Sequence, residues 1–300
     1  MPAAILALAN CPSAQADADG ADADFNPAVM EASEPGAVMS PILMAAALES
    51  RSAYPEITRI DTGPGWFQVG DRLIRDENPG KGVLSLAEAL QLSSNVAVAR
   101  IAQDVPAQEF WAVLDKAGFG HPPAHGLPDE GAGELPHYTD WTPGEQAQMA
   151  YGHGMAATLL QIARAYAAIA NDGVLPPLAA PEPGVPDIPE QVMSDDTARQ
   201  LRDMLEGVVA PGATGLLAQV EGYRVAGKTG STLKVVNGQL DKSKVLARFV
   251  GFAPADAPRL VVAVLIDEPG GELRYGGVVA APLFARIMAG GLKQLGVAPR

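Results

Sequence analysis

The chain has 300 residues, 48% of them apolar, enough to bury a full core as one large domain or two interleaved lobes without metals or disulfides. Its 21 Lys and Arg are outnumbered by 35 Asp and Glu, and the formal charge of −14 argues against nucleic acid or an anionic membrane surface as the main partner. The single cysteine, Cys11, cannot form an internal disulfide, so cysteine usage leaves the compartment open. There is no uncharged apolar run of about eighteen residues and no basic flank leading into an apolar core with a cleavage site. These residues are expected to be soluble, and because the chain opens almost directly on a strand-like run they are expected to be a fragment cut at a domain boundary.

The opening run, residues 3–9, reads as a strand that ends at Asn10-Cys11-Pro12. Residues 14–26 follow, with Asp17, Asp19, Asp22 and Asp24 spaced by Ala and Gly. They read as a solvated loop, because the pattern lacks the glycine and terminal Glu of a calcium loop. After Glu34-Pro35-Gly36, residues 37–49 predict a helix with Pro41 in its first turn, where a missing N–H does little harm. No charge interrupts it before Glu49, so it is expected to be a central buried helix. Residues 51–81 suggest small strands and turns, notably around 65–69 and 72–74. Ser85 and Glu88 have capping-box spacing and open a helix that stops at Ser93-Ser94-Asn95, with a second apolar helix over 96–103.

Residues 106–118 predict an amphipathic helix with Phe110, Trp111 and Leu114 on its buried side. Residues 120–142 read as surface loop. His121 and His125 would suit a zinc pair on a helix, but Pro122 and Pro123 deny that helix, and no metal or cofactor is expected. Thr158 and Gln161 make a second capping box for a long helix through Ile162, Tyr166 and Ile169, ended by Asn171-Asp172-Gly173. A proline-rich connection over 176–189 leads to an amphipathic helix over 195–209.

Beyond Gly215 the pattern turns to strands. In Ala226-Gly227-Lys228-Thr229-Gly230-Ser231, an ammonium, a hydroxyl and a glycine share one buried strand. Lys228 offers charge, Thr229 a directed donor, and Gly230 room for a substrate backbone, which together make a carboxylate-binding edge. Asn237-Gly238 signals a tight hairpin. Residues 246–253 and 260–266 are expected to pair antiparallel across a turn at 254–258, and residues 278–295 predict a closing helix stopped by Gly296. The fold class is mixed α/β: an antiparallel sheet completed by the N-terminal strand and flanked by helices, with an all-helical lobe inserted. The sheet lobe is placed at about 1–35 and 212–300, and the helical lobe at about 36–211.

Lys-Thr-Gly alone is a common tripeptide. Together with Ser93-Ser94-Asn95 it supplies two of the three elements S-x-x-K, S-x-N and K-T-G that mark penicillin-binding proteins and serine β-lactamases. With Glu34-Pro35-Gly36, Tyr151-Gly152-His153-Gly154-Met155 and Tyr275-Gly276-Gly277 in the same order, the chain resembles the transpeptidase domain of a class B penicillin-binding protein, most closely the septal peptidoglycan D,D-transpeptidases. The resemblance implies a penicillin-binding protein/serine β-lactamase-like fold in a periplasmic protein held at the inner membrane, with the anchor and a pedestal domain outside these residues. It also implies a cleft lined by Ser93 and Asn95, with Lys228, Thr229 and Gly230 facing a carboxylate and the N–H groups of Ser231 and Ala37 forming an oxyanion hole. Implied partners are a peptidoglycan stem peptide or a β-lactam, and membrane proteins of the division machinery.

The third element departs from the family pattern. Ser-x-x-Lys places nucleophile and base on one helix face, but the matching positions here are Ala37 and Ser40. Losing such a nucleophile costs on the order of a millionfold in turnover. Ser231 and Lys234 are also three apart, but on a strand they point to opposite faces. Two functions are therefore weighed. One is a catalytically inactive domain that binds or scaffolds. The other is an active D,D-transpeptidase whose motif has been altered. Plainer alternatives are that Lys228 is a paired surface charge, and that Ser93 and Ser94 end one helix while Asn95 caps the next.

Overall fold

The computed structural model describes residues 3–11, 26–50, 58–123, 129–178, 189–236, 239–271 and 273–300. Asp17, Asp19, Asp22, Asp24, His125 and the Asn237-Gly238 turn lie outside the described residues.

The central strand of the sheet, Gln239–Ala253, is flanked by Ala226–Val236 on one side and Leu260–Asp267 on the other, all antiparallel. Residues 245–253 are buried without interruption, as a strand covered on both faces must be. Alternation assigns the faces: Phe249 and Ala253 meet Phe284, Met288 and Leu292 of the last helix, Gly276–Gln294, while Val250 and Phe252 join the main core. The rings of Phe249 and Phe284 are 4.6 Å apart. Helix Leu159–Ala170 packs on the opposite face of the central and outer strands.

Residues 37–49 do not form one uniform helix. A 3-10 turn, Gly36–Met39, leads into the α-helix Ser40–Glu49, with Pro41 in its first turn. This helix is buried from Ser40 to Ala47 and contacts Leu86–Gln91, Asn95–Asp104, Ala107–Lys116 and Asp195–Gly207. Tyr166 reaches across from Leu159–Ala170 and donates to Val38 O at 2.8 Å. Both expected capping boxes form. A third, Thr142 with Glu145, opens Pro143–Met149, a short helix just beyond the 120–142 stretch. Trp111 is half-buried, lying edge-on to the His137 ring, whereas Phe110 and Leu114 are fully buried.

The N-terminus corrects the expectation. Residues 3–9 do not complete the sheet; among the described residues only Ala3 pairs, in a lone parallel bridge to Leu178. Two of the larger apolar side chains here, Ile5 and Leu8, lie three apart and pack together beside Leu160 and Leu178, a spacing that a strand would split between its faces. Leu6 stays exposed.

Two backbone segments meet in front of the central helix. Gly36 N donates to Gly152 O at 3.1 Å, and both glycines have positive φ, +70° and +76°. A Cβ on Gly152 would stand 2.6 Å from Gly36 N and closer still to Gly36 O. Gly152→Ala is therefore expected to destabilise the domain by about 3 kcal/mol or more, seen as a lower urea midpoint at unchanged slope. Gly154→Ala, with φ +75° but open space around it, should cost only the left-handed strain of about 1–2 kcal/mol. Equal losses in the two variants would refute the close-contact argument.

Candidate functional site

The Lys228 strand lies against the start of the central helix. A Cβ on Gly230 would come 2.9 Å from Val38 Cγ1 and 3.2 Å from Pro35 O, so only glycine permits this approach. Ala37 sits half-buried in the 3-10 turn, and Ser40 N–H donates to Ala37 O. Ser40 is 3% exposed.

Lys228 is fully buried, which rules out the surface-charge alternative. Its Nζ donates to Ser93 Oγ at 2.9 Å, Thr229 O at 3.1 Å and Thr229 Oγ1 at 3.4 Å. Thr229 Oγ1 donates to Thr214 Oγ1 at 3.2 Å. Every partner is neutral. Burial, and after it the like charge of Lys81, pushes Lys228 down to about 7. A buried ammonium held only by hydroxyls and a carbonyl keeps an unmet preference for an anion.

Ser93 carries φ of 49°, a left-handed conformation that a non-glycine residue keeps only when its surroundings hold it. The helix-capping alternative for this segment is also corrected. Ser94, not Asn95, caps Asn95–Asp104, its Oγ accepting from Ala97 N at 3.1 Å. Asn95 is the first helical residue, and its Nδ2 donates to Arg75 O at 3.2 Å.

Beside Ala37 the segment before the helix is tied down. Glu34 Oε2 accepts from His153 Nδ1 at 2.6 Å, and Oε1 accepts from Gly154 N at 3.0 Å. Burial works to raise the Glu34 carboxyl, but these two bonds, together with the electrostatic attraction of His153 and Arg248, outweigh it and hold the group below the usual range. Glu34 O accepts from Thr232 Oγ1 at 3.2 Å, and Thr232 Oγ1 accepts from Arg248 Nη1 at 3.0 Å. Arg248, 1% exposed, also donates to Ser33 Oγ at 2.6 Å. Burial pushes it down to about 10, so it stays charged at neutral pH.

Ser231 Oγ accepts from Gly276 N at 2.9 Å, while Lys234 Nζ is bound to Asp267 and Glu268 at 2.9 and 3.0 Å. That Ser-x-x-Lys is no nucleophile and base. Hydrogen bonds thus join Ser93, Lys228 and Thr229, and Gly230 abuts the residue after Ala37. The side chain of Asn95 bonds instead to the backbone carbonyl of Arg75. Sequence reasoning missed four residues: Asp76 and Lys81, which read as part of a turn, Thr214, and Arg248 within an apolar run. Among the described residues no group of three or more His, Cys, Asp or Glu is placed to hold a metal ion.

An antiparallel sheet flanked by helices, with Lys-Thr-Gly on the strand beside a central buried helix, defines the fold of penicillin-binding proteins and serine β-lactamases. A family model described as penicillin binding protein transpeptidase domain matches residues 3–289, and the chain belongs to that family. The probable peptidoglycan D,D-transpeptidase PenA of Neisseria gonorrhoeae is 39% identical over 298 residues, covering 98% of this chain and 51% of that protein. The peptidoglycan D,D-transpeptidase FtsI of Escherichia coli K12 is 33% identical over 298 residues, covering 98% and 50%. The apo transpeptidase domain of Burkholderia pseudomallei penicillin-binding protein 3 superposes with a TM-score of 0.85 at 39% identity, covering 92% of this chain and 83% of that one. The chain thus spans about half the length of the curated relatives it matches. No described helix is long and apolar enough to cross a membrane.

Proposed function

We propose that this domain grips the terminal carboxylate of a peptidoglycan stem peptide, or of a β-lactam, without forming an acyl-enzyme. In this reading it serves septal cell-wall synthesis as a binding or scaffolding element, in the periplasm and beside membrane proteins of the division machinery. One observation carries it: Lys228 is kept buried and short of an anion beside a turn where Ala37 and Ser40 offer neither nucleophile nor base. Ser93, Asn95, Thr229, Gly230 and the Ser231 N–H complete the proposed cleft.

The identity to proteins named as D,D-transpeptidases favours a second reading, an active serine acyl-transferase whose nucleophile motif has been altered. Intact mass after incubation with benzylpenicillin tests whether this chain acylates by any route, and the Ala37→Ser, Ser40→Lys variant tests whether the altered motif alone stands between it and activity. No added mass is expected on the unaltered chain, together with reversible binding of N,N′-diacetyl-L-Lys-D-Ala-D-Ala by calorimetry. A stable penicilloyl adduct on any side chain would sink the binding role and establish the enzyme.

A further inference from the structure

Lys228 has a second, largely enclosed lysine close by. Lys81 follows a turn that the sequence gives no reason to single out, and its side chain is only 10% exposed. Its Nζ donates to Leu92 O at 2.9 Å and to Ser93 O at 3.4 Å, the carbonyls where helix Leu86–Gln91 ends. Asp76, with a fully buried side chain 3.5 Å from Lys81 Nζ, works at the next helix start. It accepts from Ser94 Oγ at 2.8 Å and from Val96 N at 3.0 Å. Each charge therefore sits at the helix end whose partial charge is opposite to its own. Between the two ends stands Ser93, in its left-handed conformation, with Oγ on Lys228.

We infer that Asp76 and Lys81 are the positioning pair of this cleft: they staple the turn that sets Ser93 against Lys228, and they govern the charge that Lys228 presents to a carboxylate. The charged group that bears on Lys228 is Lys81, itself paired with Asp76; the hydrogen-bond partners of Lys228 are the neutral Ser93 and Thr229. Lys81 cannot stand in for the missing base, because its ammonium is committed to two carbonyls and a carboxylate. The inference rests on the reading of the cleft as a carboxylate site, and its test is chosen to be independent of any ligand.

That test is a pH titration of the 300-residue chain, followed by NMR of 13Cε-labelled lysine, with the Lys228 signal assigned through Lys228→Met. Lys81→Met removes a like charge and leaves Asp76 uncompensated, so the Lys228 midpoint should rise. Asp76→Asn leaves Lys81 uncompensated, so the midpoint should fall. Lys81→Arg should hold it in place. Opposite movements of about one pH unit are expected. Unmoved midpoints, or movement of the same sign in Lys81→Met and Asp76→Asn as general loosening would give, overturn the inference. Should Asp76→Asn fail to fold, the contrast between Lys81→Met and Lys81→Arg still decides. If the diacetyl tripeptide fails to bind while the midpoints move as stated, the positioning pair stands and the binding role falls.

Discussion

Installing Ala37→Ser and Ser40→Lys together is expected to return β-lactam acylation to this domain, with a gain on the order of a millionfold over the unaltered chain. The geometry for it is in place. Residues 37 and 40 span a 3-10 turn, in which side chains three apart eclipse one another, and Ser40 N–H already donates to Ala37 O. A hydroxyl at the first position and an amine at the second would therefore stack within reach, beside the strand that carries the Ser231 N–H. The difficulty is room: Ser40 is 3% exposed, and forcing a longer side chain into a filled site costs about 1–3 kcal/mol. A third lysine would also join Lys81 and Lys228, further disfavouring the protonated form of each. Ala37→Ser alone should acylate far more slowly, since its hydroxyl has no base. Acylation is read with a fluorescent penicillin and located by peptide mass. A folded double variant that stays unlabelled would show that the amides of residues 37 and 231 no longer frame a carbonyl.

Lys228→Met is expected to make the protein more stable near neutral pH. The native ammonium titrates at about 7, whereas in the unfolded chain it titrates at about 10.4. Between those values the unfolded state binds more protons, so wild-type stability climbs with pH through that window, and below it the whole penalty applies. At about 1.4 kcal/mol per pH unit the ceiling is roughly 5 kcal/mol. The lost bonds to Ser93 and Thr229 give back about 1–3 kcal/mol. Urea unfolding should show a net gain of about 2 kcal/mol at about pH 6 that passes through zero as the pH rises and becomes a loss of about 1–3 kcal/mol near about pH 10. A gain independent of pH would mean that packing, not charge, is responsible. The same variant should lose the diacetyl tripeptide.

Local chemistry decided how much of this was legible. Both predicted capping boxes, at Ser85 and Thr158, involve residues three apart and needed no tertiary context. The pairing of 246–253 with 260–266 followed from pattern and a short turn. The N-terminal run misled because alanines satisfy a strand and an irregular segment equally, and only the packing of Ile5 and Leu8 distinguishes them. Asp76 and Lys81 were invisible for a different reason. They serve residues 92–96, and a turn of Asp, Glu, Asn, Pro, Gly and Lys looks like solvent-facing loop until the chain folds back. Arg248 hid in an apolar run, its partners Ser33 and Thr232 lying far away in sequence.

The glycine contacts around the helix start bear on what the shape of the groove says. Gly36, Gly152 and Gly230 are pinned by close contact with the Thr232 side chain, the Gly36 backbone and the Val38 side chain respectively, so the requirement to fold is enough to fix them whatever the site does. Its shape is thus a poor witness to present use. The ammonium of Lys228 says more about use, because its burial opposes the fold that contains it.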